Sequence, residues 1–78
     1  MGMKDLPLDD GRTITKVWES LGWQAYRGKN HFVVTHPSMP GLTISIPDHK
    51  EVDRKLLRTE LRKAHISIDE FIVAYQNI

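Results

Sequence analysis

Cysteine is absent from the 78-residue sequence. Its absence excludes a disulfide framework, a thiolate-bound zinc ion and a cysteine nucleophile. Long apolar runs are missing as well, since no stretch approaches the ~20 residues that a membrane-spanning helix needs. The N-terminal residues lack the apolar stretch of a signal peptide. Together these absences predict a cytoplasmic protein that does not bind a membrane.

The chain is short, which predicts a single domain over residues 1–78. A domain of this size buries only about 60% of the surface that its unfolded chain exposes, so its core is thin. We therefore expect no deep pocket and no small-molecule cofactor, and an open surface suits a polymer better than a metabolite. The net charge of +1 conceals an uneven distribution, because residues 50–63 carry six basic and three acidic side chains.

Three segments have the periodicity or the capping residues of helices. The first spans about residues 11–21, where apolar side chains recur at i, i+3, i+4 and i+7. Asp53 can cap a second helix that runs to about Ala64. Ser67, followed three residues later by Glu70, forms a capping box that begins a third, short helix.

Three short segments between the first two helices predict strands, at residues 23–27, 31–35 and 42–46. A tight turn over 28–30 joins the first two, because glycine and asparagine both tolerate positive φ. In the third strand apolar and polar residues alternate, so one face is buried and the other is open. This order predicts an α+β fold, α-β-β-β-α, with a three-stranded antiparallel sheet and a short C-terminal helix.

Among the four histidines, His31 is the best candidate for proton transfer near neutral pH. It follows the predicted turn, and it lies on the open face if Phe32 faces the core. Arg27 and Lys29 flank it in the sequence and would attract a phosphodiester. A solvated histidine at a strand start would have the same neighbours, so that interpretation stays open. A zinc site from His31, His36 and His49 matches no established spacing, and we predict no metal site.

Basic residues follow one face of the second helix at intervals of four. This spacing relates Lys50, Arg54, Arg58 and Arg62, and we call these four residues together with the neighbouring Lys55 the basic stripe. It predicts contact with the phosphates of a nucleic acid. The alternative is a solvated helix face that acidic neighbours partly neutralise.

Short motifs along the chain resemble the HicA toxins of bacterial toxin–antitoxin pairs, over about residues 12–72. The order and spacing of these motifs carry the resemblance, since each is short. They are Leu21-Gly22-Trp23, Gly28-Lys29-Asn30-His31, His36-Pro37, Pro40-Gly41, Ile46-Pro47-Asp48-His49, Leu57-Arg58 through Leu61 to Ile66-Ser67, and Asp69-Glu70-Phe71.

The resemblance implies a fold like that of the double-stranded-RNA-binding domain, with both helices on one sheet face. It also implies a ribosome-independent, metal-independent mRNA interferase that a HicB antitoxin inhibits. His31 matches the family's essential histidine, which opens the second strand. Two departures stand out. Lys29 or Asn30 replaces the family's turn serine. At the end of the second helix, His65 stands where the family usually has glycine, in a backbone conformation that favours glycine.

We therefore expect an endoribonuclease in which neutral His31 removes a proton from an RNA 2′-hydroxyl. Arg27, Lys29 and the basic stripe would hold phosphates. The expected partners are mRNA or another RNA and a HicB-like antitoxin. One alternative is a non-catalytic RNA-binding module of the double-stranded-RNA-binding type. Another is a protein-interaction domain that docks a partner on the open sheet face.

Overall fold

Helices and strands follow one another in the order that the sequence predicts. The computed structural model describes residues 5–78. Its elements are α1 (Gly11–Ser20), β1 (Gln24–Arg27), β2 (His31–Thr35), β3 (Ile44–Pro47), α2 (Arg54–Lys63) and α3 (Ile68–Gln76). The strands form one antiparallel sheet in the order β1-β2-β3. The predicted α+β fold with a C-terminal helix is therefore confirmed.

Each helix begins at a residue whose side chain accepts a hydrogen bond from a backbone N–H group. Asp10 accepts from Thr13 at 2.7 Å, and Asp53 accepts from Lys55 at 3.3 Å. Ser67 accepts from the N–H group of Glu70 at 3.0 Å, as expected from the capping box. These bonds satisfy donors that the first turn of a helix leaves without a partner.

The first two helices end in the same left-handed cap. Gly22, with φ of 98°, ends α1, and His65, with φ of 59°, ends α2. At the end of α2, His65 donates to the carbonyl of Arg62, and Ile66 donates to the carbonyl of Leu61. This pair of bonds defines a Schellman motif. The prediction that His65 occupies a conformation favouring glycine is confirmed.

Strand β3 begins later than the alternation predicts, at Ile44 rather than Leu42. The N–H group of Leu42 donates instead to the carbonyl of Met39 at 3.2 Å and belongs to a turn. Likewise, β1 begins at Gln24 because the N–H group of Trp23 closes the α1 cap. Both differences arise because a turn or cap uses the N–H group that the strand would need.

The turn between β1 and β2 forms where it is expected, but the reason that we gave for it is wrong. Neither Gly28 nor Asn30 has positive φ; within residues 5–78 that conformation is confined to Gly22, Gly41 and His65. The turn is closed by a bond of 2.7 Å from the Gly28 N–H to the His31 carbonyl. The Asn30 carbonyl also accepts from the N–H group of Asp48, which ties the turn to the end of β3.

The core lies between the helices and one face of the sheet. Trp18 is fully buried at its centre, in edge-to-face contact with Trp23 at 5.1 Å and with Phe71 at 6.0 Å between ring centroids. Aliphatic and aromatic side chains from every element surround it, together with Leu6 from the N-terminal segment. Within residues 5–78 no helix is long and apolar enough to cross a membrane. The helices cover one sheet face and leave the other uncovered.

Candidate active site on the open sheet face

The strand register decides which side chains lie on the uncovered side of the sheet. Directly paired residues of neighbouring strands point to the same face, and alternate residues of β2 are buried. We call the other side the open face. Its members are Gln24, Tyr26, His31, Val33, Thr35, Ser45 and Pro47. It therefore carries a histidine and an exposed tyrosine and no carboxylate.

His31 lies at the first position of β2, directly opposite Pro47 of β3. Its imidazole rests over Gly28, because a Cβ atom at residue 28 would lie 2.9 Å from both Cε1 and Nε2 of His31. Glycine at residue 28 therefore leaves the space that the His31 ring occupies. His31 is partly exposed, so a ligand can reach it from the open face.

Arg27 does not lie beside His31, although it is close in sequence. It pairs with Phe32 and so belongs to the covered face. Its guanidinium lies 4.7 Å above the centre of the Phe32 ring, and its Nη1 forms a salt bridge of 2.5 Å with Asp48. Lys29, by contrast, is exposed in the turn next to His31. It is the nearer of the two predicted cations along the chain.

The basic stripe lies on the helical side of the sheet, and the N-terminal segment occupies part of it. The Nε atom of Arg54 donates to the carbonyl of Leu6 at 2.5 Å. Arg58 forms a salt bridge of 3.1 Å with Asp5. The Leu6 N–H and the Arg58 guanidinium together lower the pKa of the Asp5 carboxyl. The other members, Lys50, Lys55 and Arg62, are exposed.

The ring of His36 has structural contacts, whereas His49 contributes to the fold through its backbone. His36 accepts a hydrogen bond at Nδ1 from the Ser38 N–H group at 3.0 Å, and its ring packs against Trp23. The carbonyl of His49 accepts from the N–H group of Gly11, where α1 begins. Within residues 5–78 no group of three or more His, Cys, Asp or Glu residues could hold a metal ion.

A groove between α1 and β1 contains two basic residues that the sequence analysis did not select. Arg12 and Lys16 of α1 face Tyr26 and Arg27 of β1 across a groove of about 240 Å³. The spacing of four between Arg12 and Lys16 could have revealed them, because it places both on one helix face. Their position beside β1 depends on tertiary packing.

The structure thus defines a small α+β domain with a histidine on the uncovered face of its sheet. The family model described as HicA toxin of bacterial toxin-antitoxin matches residues 11–66. The chain belongs to this family, as the sequence motifs indicated. It is accordingly a toxin of a toxin–antitoxin pair, in a family with ribonuclease activity. Comparisons with curated proteins and with solved structures give no match.

Proposed function

We propose that this protein is a ribosome-independent mRNA interferase of the cytoplasm, and that His31 is its catalytic residue. The observation that supports the assignment is the position of His31, which opens β2 on an uncovered sheet face with its ring held over Gly28. Because His31 is partly exposed on this face, a ligand can reach its imidazole without any opening of the fold.

The proposed reaction begins when neutral His31 removes the proton from a ribose 2′-hydroxyl. The 2′ oxygen then forms a bond to the adjacent phosphorus, and the bond from phosphorus to the 5′ oxygen breaks. The 5′ oxygen leaves with a proton taken from water. The products are a 2′,3′-cyclic phosphate and a 5′-hydroxyl, so the substrate has to be RNA rather than DNA.

Basic residues would supply the charge that the transition state needs. Lys29, exposed in the turn before His31, is placed to attract the phosphate that gains charge. Arg27 and the basic stripe lie away from the open face and would contact phosphates further along the RNA. The step uses no metal ion and no cofactor.

The antitoxin that would control this activity is HicB-like and would cover the open face. A standard protein interface buries about 800 Å² per partner, which is large beside a total surface of 5095 Å². RNA and antitoxin would therefore exclude each other. An acidic antitoxin surface would complement the exposed lysines and make association sensitive to salt.

Cleavage of a labelled RNA by purified wild type and His31→Ala tests the proposal, with excess EDTA in both reactions. We expect the wild type to leave 2′,3′-cyclic phosphate ends and the variant to lose cleavage while it still binds RNA. Thermal unfolding checks that the variant is folded. Comparable cleavage by the variant would refute the assignment of His31. Binding without cleavage by the wild type would instead support a non-catalytic RNA-binding module.

A further inference from the structure

The groove between α1 and the edge strand β1 has the form of a channel for a charged chain. Arg12 and Lys16 line its helical side, and Arg27 lines its strand side. Glu19 is the acidic residue among the lining side chains, so the lining is basic overall. The groove is shallow and open to solvent, as expected where a polymer rather than a metabolite binds.

The basic groups of α1 are available for a ligand. Within residues 5–78 neither Arg12 nor Lys16 forms a salt bridge, whereas Arg54 and Arg58 of the basic stripe are engaged by the N-terminal segment. Both cations also lie close enough to the carboxylate of Asp10, the capping residue of α1, to help lower its pKa after the dominant Thr13 N–H bond. α1 therefore offers two cations that no side chain of the described residues holds.

Tyr26 connects this groove with the open face. It lines the groove, and its register with Val33 also places it on the same face as His31. Val33 lies directly opposite Tyr26, and His31 lies two residues before Val33 on β2. The side chains of His31 and Tyr26 are therefore diagonal neighbours across the two strands. Tyr26 is 56% exposed, and its hydroxyl donates to Gln24 Oε1 at 3.0 Å, which holds the ring along the strand.

From this juxtaposition we infer that a single strand of RNA passes from His31 over Tyr26 into the groove. The inference rests on the proposed function and adds the path and the form of the substrate. Tyr26 stacks on an unpaired base next to the cleaved bond, and Arg12 and Lys16 bind the phosphates that follow. Aromatic stacking on splayed bases beside a basic groove is how proteins hold single strands.

A duplex fits this arrangement less well. The bases of a duplex are stacked on one another, so their faces are not free to meet a tyrosine ring. A protein that binds duplex RNA by shape contacts its phosphates and 2′-hydroxyls, and an exposed aromatic ring adds little to such contacts. Tyr26 thus distinguishes an unpaired substrate from a paired one.

The test measures binding of a fluorescein-labelled oligouridine and of a labelled, blunt-ended RNA duplex to His31→Ala protein, which does not cleave them. Adding Tyr26→Ala is expected to raise the Kd for the oligouridine about tenfold and to leave the Kd for the duplex unchanged. Tyr26→Phe keeps the ring and is expected to stay within about twofold of the parent. Arg12→Gln with Lys16→Gln is expected to lower the slope of log Kd against log salt by about 0.7 per lost phosphate contact.

Lys63→Gln is the matched charge control, because Lys63 is an exposed cation on α2 that pairs with Glu60. We expect it to leave the slope unchanged. An equal loss of slope per charge removed in the control would show that net charge alone matters and would overturn the inference. An unchanged oligouridine Kd for Tyr26→Ala would also overturn it. If His31→Ala still cleaved RNA, the proposed function would fail instead, so the two failures are distinct.

Discussion

The imidazole of His31 occupies the space that a side chain at residue 28 would fill. The two residues close the β1–β2 turn through one backbone bond, and the imidazole lies over the glycine Cα. Gly28 does not have positive φ, so its backbone dihedral angles suit other residues, although a Cβ atom there would also lie 3.1 Å from the His31 carbonyl oxygen. The requirement for glycine here concerns the place of the His31 ring more than the conformation of the turn.

Gly28→Ala is therefore expected to impair cleavage without unfolding the protein. The added methyl group would displace Nε2 of His31, the far end of a side chain that can rotate away at little cost. We expect kcat to fall at least tenfold, since misplacing a catalytic group is costly. The free energy of unfolding should change by less than about 1 kcal/mol. Asn30→Ala in the same turn is the control and should retain activity. A Gly28→Ala enzyme with normal kcat would contradict this account.

His65→Gly is expected to stabilise the protein. His65 has φ of 59° at the end of α2, a conformation in which a residue with Cβ is strained and glycine is not. The gain is offset in part by the greater freedom of glycine in the unfolded chain. We expect a net increase of about 0.5–1 kcal/mol in the free energy of unfolding, measured by urea denaturation. Gly22→Ala, the reverse change in the matching cap of α1, should destabilise the protein. If His65→Ala stabilised as much as His65→Gly, strain would not be the cause.

The basic stripe is expected to divide into structural and RNA-binding members. Arg54→Gln should lower the melting temperature, because it removes the bond to the Leu6 carbonyl from a partly buried site. Lys55→Gln and Arg62→Gln should leave the melting temperature unchanged and reduce the salt dependence of RNA binding. Unfolding scans and binding titrations on the same preparations separate these effects. An unchanged salt slope for Lys55→Gln and Arg62→Gln would mean that the stripe is a solvated helix face.

Acid should destabilise the protein partly through Asp10. The Thr13 N–H group bonds to the carboxylate and, with nearby Arg12, lowers its pKa below the ordinary value of 3.8. A carboxyl whose pKa is lowered by folding stabilises the protein above its unfolded pKa and loses that contribution as the pH falls through the folded pKa. Asp10→Asn keeps a cap acceptor without the charge, so its melting temperature should decline less steeply below about pH 4. Equal declines in both proteins would exclude this role.

Local sequence signals predicted the helices well because each signal is contained within a few residues. The caps at Asp53 and Ser67 and the periodicity of α1 act over one or two turns. The face of Arg27 was harder to predict, because it depends on pairing with Phe32 across the turn. The salt bridge between Arg58 and Asp5 joins residues that are far apart in the chain, so no local sequence pattern predicts it.

The candidate site was predicted unevenly for the same reason. His31 lies on the open face, as the alternation of β2 indicates, but whether it acts in catalysis stays a prediction. Tyr26, Arg12 and Lys16 gave weak signals separately. Their relation becomes visible when α1 packs beside β1, and a tertiary contact of this kind cannot be read from either segment alone.

The folded structure extends beyond the residues that match the family model, first of all at the N-terminal segment. The family match begins at Gly11, yet Leu6 is fully buried, and the Asp9 carboxylate accepts a bond from Tyr75 of α3. Phe71, beyond the other end of the match, fills the core against Trp18. A fragment trimmed to 11–66 would lose these side chains and expose the apolar surface that they cover. Sequence-defined boundaries would thus yield an unstable fragment.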